Sequence, residues 1–350
     1  MNFEYRSYPN QVYFGNNKIQ LLPGLLDGYQ KVLVIVSKRL AIQVDYLRAA
    51  LGATRVLQFS NIIQQVPDTL VREATEFREE NHPDILVAIG GGSAIGLAKA
   101  LALGKYIPQI AIPTTFSGSE QTNIYGISSA GVKRTGRDDK VLPGIVIYDP
   151  NLTLSMPKYL AVTSAMNAMA HVMEAIYSPS GNPVTRNNAI LGMNAIKTGI
   201  KALSTTDGLP ESANEKILFG SYLAGKCLCE VEMALHHKAA HVLGGSFGME
   251  HSSVHTALQP YVLAYQWPHL PSAIKSDFKQ ALESEYPPKA LKDLAGNAGA
   301  KTNLKSIGFR KEDIGKAASI IVSKPYANVA PITKDGLVKM LTNAYHGIME

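Results

Sequence analysis

The chain carries nine histidines; five fall within residues 236–255 and a sixth is His171. His237 and His241 are four apart, which puts them on one face of a helix, and His251 follows the Gly244-Gly245 break where a new helix opens. Three imidazoles can therefore converge. His171 lies in a helical pattern over 163–177, with Asn167 four residues before it on the same face and Glu174 three residues after. Imidazole works near neutral pH as metal ligand, general acid or general base. Four at paired helical spacing point to a site rather than to isolated structural side chains. His236, His255, His82, His269 and His346 are read as structural.

A second candidate is Gly90-Gly91-Gly92-Ser93, directly after a strand pattern over 84–89 (DILVAI) and before a helical pattern over 95–103. Glycines there let the backbone approach a phosphate, and the following helix N-terminus offers unpaired N–H groups and a favourable dipole, a fit for a diphosphate. The alternative is a tight βα turn without a ligand, since the run is not G-x-G-x-x-G and follows a later strand than the first. The hydroxyl-rich stretch Pro113 to Glu120, with Thr114, Thr115 and Ser117, follows the next strand and offers a second phosphate or ribose wall.

The elements that position these groups alternate in the first half. Apolar runs at 31–36 (KVLVIV), 54–59, 84–89, 109–113 and 144–148 (GIVIY) are separated by helical patterns such as 69–80, which argues for βαβ units and a parallel sheet. After Asp149-Pro150 the pattern becomes helical, over 163–177, 183–202, 213–231, 236–243, 252–264 and 314–323. The expected organisation is α/β plus all-α, with residues 1–155 as a ligand-binding α/β domain and 156–350 as a helical domain.

The 350 residues are enough for two domains, and 46% hydrophobic with 18% charged residues is a globular composition. Cys227 and Cys229 stand two apart and form no disulfide framework, which fits a reducing compartment. Residues 1–13 hold no apolar stretch of secretory type, and glycines break the longest apolar tract, so a cytoplasmic chain without a membrane span is expected. The net charge of +6 comes from scattered bases. That gives little support for nucleic acid and suits a small anionic ligand.

These motifs, in this order, resemble the iron-containing (group III) alcohol dehydrogenase superfamily over nearly the whole chain. The match runs from Phe14-Gly15 through the glycine loop, the Pro113–Glu120 segment, the Asn167/His171 helix and the histidine region to Ala344-Tyr345-His346-Gly347. The resemblance implies a dehydroquinate synthase-like fold: a Rossmann-like dinucleotide-binding domain and a helical catalytic domain, with the active site between them, usually in a homodimer. Relatives usually hold a divalent metal with an Asp and three His, and the corresponding positions here are Asn167, His171, His237 and His251. The aspartate is missing. Gly96 also stands where many relatives carry Asp, the Pro113–Glu120 loop is one residue shorter, and Thr135-Gly136-Arg137-Asp138 precedes Val141-Leu142-Pro143. Together these look like the maleylacetate reductase branch, which reduces a conjugated C=C bond in bacterial breakdown of aromatic compounds and is not known as metal-dependent.

The resemblance implies catalytic roles for His241 and His251 first, with His237 and His171 shaping or tuning them, and no metal. It implies NADH or NADPH held by Ser37, Gly90, Gly91, Gly92, Ser93, Thr114, Thr115, Ser117 and Lys140. A small dicarboxylate would be met by Asn167, Arg137 and Lys238, and Arg186 is a further cationic candidate. Two alternatives stay open: a metal-dependent alcohol or polyol dehydrogenase using three histidines, and a catalytically silent nucleotide-binding relative.

Overall fold

The computed structural model describes residues 3–129 and 132–349. The chain divides into two compact units, one over Tyr8–Ser155 and one formed by the residues before Tyr8 and from Met156 onward.

The first unit is built on strands β1 (Gln11–Phe14), β2 (Val32–Val36), β3 (Val56–Phe59), β4 (Ile85–Gly90), β5 (Gln109–Pro113) and β8 (Ile145–Tyr148), with β6 (Ile124–Ser129) and β7 (Val132–Arg137) as a separate antiparallel pair. The six-stranded sheet is parallel throughout, in the order β1-β8-β5-β4-β2-β3. Its central strands are buried on both faces, which is why β2 and β4 read as unbroken apolar runs. Helices α1 (Leu22–Leu25), α2 (Ala41–Leu51), α3 (Asp68–Asn81) and α4 (Gly92–Gly104) complete the unit. From β2 the chain moves outward to β3 and then returns to β4 on the other side of β2. The order therefore reverses between β2 and β4, the place where open α/β sheets bind ligands outside the carboxyl ends of their strands. Ser37 ends β2 there and the glycine run ends β4.

The second unit contains α5 (Lys158–Tyr177), α6 (Pro183–Leu203), α7 (Glu211–Glu230), α8 (Leu235–Phe247), α9 (His251–Gln266), α10 (Ser272–Leu282), α11 (Pro287–Asn297), α12 (Ile314–Val322) and α13 (Lys334–His346). Helix α5 is buried from Ala161 to Tyr177, so it forms the unit's centre. Among the described residues no helix is long and apolar enough to cross a membrane.

Some elements differ from the sequence reading. Strand β1 and the β6–β7 pair were not expected, because β1 is a short edge strand and β6 and β7 are mostly polar. Helices α10, α11 and α13 are amphipathic but short, with two lysines each and with Pro or Gly in α11 and α13, which weakens a periodicity argument. Helix α4 starts at Gly92, three residues before the pattern suggested, because glycine and serine already adopt its first turn.

Helices α6 and α7 meet at glycines. A Cβ on Gly220 would stand 2.5 Å from Ile196 Cγ1 and 2.9 Å from the Gly192 carbonyl oxygen. Backbone cannot step aside as a flexible side chain can, so Gly220→Ala is expected to cost about 1–3 kcal/mol as overpacking. A lowered urea midpoint at unchanged m-value checks this; an unchanged midpoint contradicts it.

Candidate active site

Buried helix α5 carries one polar stripe, Thr163, Asn167, His171 and Glu174, at steps of four, four and three. Against it lie His237 and His241 of α8 and His251 and His255 of α9, again four apart in each helix. The imidazoles form a continuous cluster. Ring centroids are 5.0 Å apart for His171–His237 and His237–His255, 4.4 Å for His251–His255, and 6.3 Å for His237–His241 and His241–His251. His236 and His255 join it through a 2.8 Å contact between Nε2 of His236 and Nδ1 of His255. The expectation that these two are merely structural is corrected to this extent: both are fully buried members of the cluster. The i, i+4 spacing of His251 and His255 was the available signal.

The imidazoles differ in environment. His241 and His251 are exposed. His171 and His255 are held well below the usual histidine range by burial first and neighbouring imidazoles second. Burial also takes His236 down to about 3, against the attraction of Glu174. These three are neutral at physiological pH. Asn167 is buried, and its Oδ1, like Nδ1 of His171 and Nε2 of His237 and His255, has no hydrogen-bond partner among the described residues.

In the first unit, the glycine run forms a close cradle. A Cβ on Gly90 would stand 2.9 Å from Ala94 Cβ, and one on Gly91 3.0 Å from Thr115 Cγ2. No side chain caps α4, whose N-cap is Gly91, so its first amides suit a phosphate. Thr114 donates its amide to the Gly90 carbonyl at 3.0 Å, which fixes the hydroxyl-rich loop beside the glycines. Beneath that loop the fully buried Lys99 ammonium donates to the carbonyls of Ser119 (2.5 Å), Thr122 (2.7 Å) and Ile124 (3.0 Å) and to Thr122 Oγ1 (2.8 Å). This lysine was not singled out in the sequence, where it reads as an ordinary helix residue. Lys140 and Arg137 are exposed on the segment following β6, and Arg137 donates to Asn123 Oδ1 at 3.3 Å. Lys238 is half-buried, and Arg186 pairs with Asp277.

Residues 9–150 match the iron-containing alcohol dehydrogenase family, and residues 161–345 match the C-terminal domain of the Fe-containing alcohol dehydrogenase family. The chain belongs to the iron-containing alcohol dehydrogenase family. It is 39% identical to maleylacetate reductase of Sphingobium indicum over 99% of both chains, and 38% identical to that of a Pseudomonas species with the same coverage. The crystal structure of maleylacetate reductase from Rhizobium superposes with a TM-score of 0.95 at 32% identity, covering all of both chains. The fold is therefore that of the family, a parallel-sheet unit and a helical unit.

The family description names iron. Among the described residues no group of three or more His, Cys, Asp or Glu is placed to hold one. Asn167 supplies a neutral amide, and Glu174 turns its carboxylate to His237 Nδ1 and to backbone amides.

Glu120, in the loop above Lys99, is fully buried; it accepts from the Tyr148 hydroxyl at 2.8 Å, and burial lifts its carboxyl to about 7 from an ordinary 4.5. Between those values the folded chain keeps a proton that the unfolded chain has released, so stability falls as pH rises through this window, by up to about 3 kcal/mol. Glu120→Gln keeps the acceptor for Tyr148 and removes the titration. Its urea midpoint is expected to exceed that of the wild type at pH 8 and to match it near pH 4.5; equal midpoints at both would contradict this.

Proposed function

We propose that the chain is a maleylacetate reductase that converts maleylacetate to 3-oxoadipate with NADH or NADPH, without a metal. Full-length identity of 35% to 39% with proteins of that name carries the reading, and a donor set unsuited to a divalent cation supports its last part. A cytoplasmic homodimer acting on a small dicarboxylate goes with it.

Reduction of a C=C bond conjugated with a ketone needs a hydride at the carbon β to the ketone and a proton at the α carbon. When bound, a dihydronicotinamide supplies the hydride. The glycine cradle of Gly90, Gly91, Gly92 and Ser93, with Thr114, Thr115 and Ser117, is proposed to hold the dinucleotide phosphates, and Ser37 and Lys140 to flank it. The end of β2 reads Ser37-Lys38-Arg39, with no acid to refuse a 2′-phosphate, while the family branch leans to NADH.

Hydride addition moves the C=C electron pair toward the ketone and places negative charge on its oxygen, which must be met by a cation or a hydrogen-bond donor. Burial holds His171, His236 and His255 neutral, whereas His241 and His251 are exposed and so are placed to exchange a proton with solvent. They are assigned the role of stabilising the enolate oxygen and returning a proton to its α carbon, directly or through water. His171 and His237 shape the pocket behind them. Asn167, Arg137 and Lys238 are assigned to the substrate's oxygens. One hydride and one proton enter, and the oxidised nicotinamide leaves.

The test is loss of nicotinamide absorbance on adding maleylacetate to chelator-treated protein checked for residual metal, with NADH and NADPH in parallel. Turnover is expected to survive chelation, and His241→Ala and His251→Ala are each expected to lower kcat by about 100-fold. Activity only after zinc or iron is restored would favour a three-histidine metal enzyme, and undiminished turnover in both variants would remove these histidines from the chemistry.

A further inference from the structure

Glu174 has no role in the reading above, yet its carboxylate accepts from three backbone amides, an imidazole nitrogen and a phenol. It is fully buried on α5, three residues beyond His171. Its Oε2 accepts from the amides of Ala234 (3.1 Å) and His237 (3.3 Å) and from His237 Nδ1 (2.6 Å). Oε1 accepts from the His236 amide at 2.7 Å and the Tyr177 hydroxyl at 3.3 Å. The remaining amide at the start of α8, Leu235, donates to Asn328 Oδ1 at 3.3 Å, and intrahelical bonding begins with Lys238 to Ala234 at 3.1 Å. The open amides of the α8 N-terminus are thus all satisfied from outside the helix, three of them by one carboxylate, while the N-cap residue Ala234 has no side chain able to do so.

An ionised carboxylate only accepts. A nitrogen 2.6 Å from Oε2 therefore bears the hydrogen, and in the neutral ring the other nitrogen, Nε2, is bare. Nε2 of His237 is buried and has no hydrogen-bond partner among the described residues. The rings of His171, His255 and His241 stand 5.0, 5.0 and 6.3 Å from that of His237.

We infer that Glu174 is the positioning residue of the histidine cluster: it fixes His237 as the Nδ1–H tautomer, so that this imidazole deals with the rest of the cluster through Nε2, and it anchors the helix that carries His241. This deepens the proposed reductase reading and rests on it for its kinetic consequence; the tautomer itself does not depend on that reading. The same carboxylate–imidazole arrangement orients the base of serine hydrolases, where exchanging the acid for its amide keeps the geometry and inverts the tautomer.

The experiment pairs Glu174→Gln with nitrogen-15 spectra of histidine-labelled protein, the His237 signals being assigned by their loss in His237→Gln. In the wild type, Nδ1 of His237 is expected to carry the hydrogen and Nε2 to be bare. In Glu174→Gln the amide nitrogen has to face backbone N–H groups at either oxygen position, so the acceptor at Nδ1 is weakened and the single Nδ1–H pattern is expected to give way to a mixture of tautomers. With maleylacetate, the variant is expected to lose about 100- to 1000-fold in kcat while KM for NADH stays within about twofold, a split that general loosening of the fold does not give. A wild-type spectrum showing Nε2–H overturns the inference even where Glu174→Gln fails to fold. A folded Glu174→Gln with unchanged kcat overturns it also. Wild-type protein inactive on maleylacetate defeats the reductase reading instead, and the spectra then still decide the placement of the hydrogen.

Discussion

The helical unit depends on one buried carboxylate set against the N-terminus of α8. Burying a charge costs several kcal/mol unless hydrogen bonds and fields return it. Glu174 receives three backbone amides, an imidazole N–H and a phenol, together with the positive end of a helix dipole. Its carboxyl is held below the ordinary range although burial alone would push it up, with the His237 hydrogen bond the leading opposing cause. A helix with its own Ser or Asp cap could sit anywhere that its apolar face allowed. Helix α8 begins at Leu235 behind the cap residue Ala234 and takes a carboxylate from α5, so His237 is located relative to His171 by a side chain rather than by packing alone.

That arrangement makes crowding of imidazoles tolerable. Six rings within a few ångströms cannot all be charged, and the molecule sorts them by depth: the deep members His171, His236 and His255 are neutral, while His241 and His251 face solvent. The Nε2-to-Nδ1 contact between His236 and His255 needs a single hydrogen between the two nitrogens, which two neutral rings supply. Under the proposed chemistry, a proton held by the cluster resides at its solvent-facing end, where the reacting oxygen develops its charge.

Much of this was legible in the sequence because it rests on local spacing. The i, i+4 pairs in α5 and α8, the opening of α9 at His251, the parallel sheet and the glycine run at the end of β4 follow from periods of 3.6 and 2 and from turn chemistry. What could not be read depends on meetings between distant segments. Glu174 approaches His236 and His237 from about sixty residues away, and nothing in its own window marks it as a cap for another helix. The spacing of His255 from His251 puts the two on one face, but only the meeting of α8 and α9 sets the rings of His236 and His237 around it. The mostly polar stretch of β6 and β7, with Ile124, Tyr125 and Ile127 bunched at one end, lacked the alternation that a half-buried strand shows.

The two units solve a similar problem with opposite signs. In the helical unit an anion is solvated by backbone N–H groups, and in the α/β unit the Lys99 ammonium lies within hydrogen-bond reach of three carbonyls and a hydroxyl from residues 119–124. A buried ion satisfied by main-chain groups is a stringent geometric device, since each group must reach about 3 Å from one centre and a misplaced one leaves charge unpaired at a cost of a kcal/mol or more. Irregular segments gain most from it. The loop after β5 and the entry to α8 have no ladder or cap of their own, and both stand beside groups that chemistry requires to be held still. Placing the ion beneath the loop, rather than adding contacts on its surface, fixes the backbone that carries Thr115 and Ser117 in one case and His241 in the other, the side chains proposed to meet the ligands.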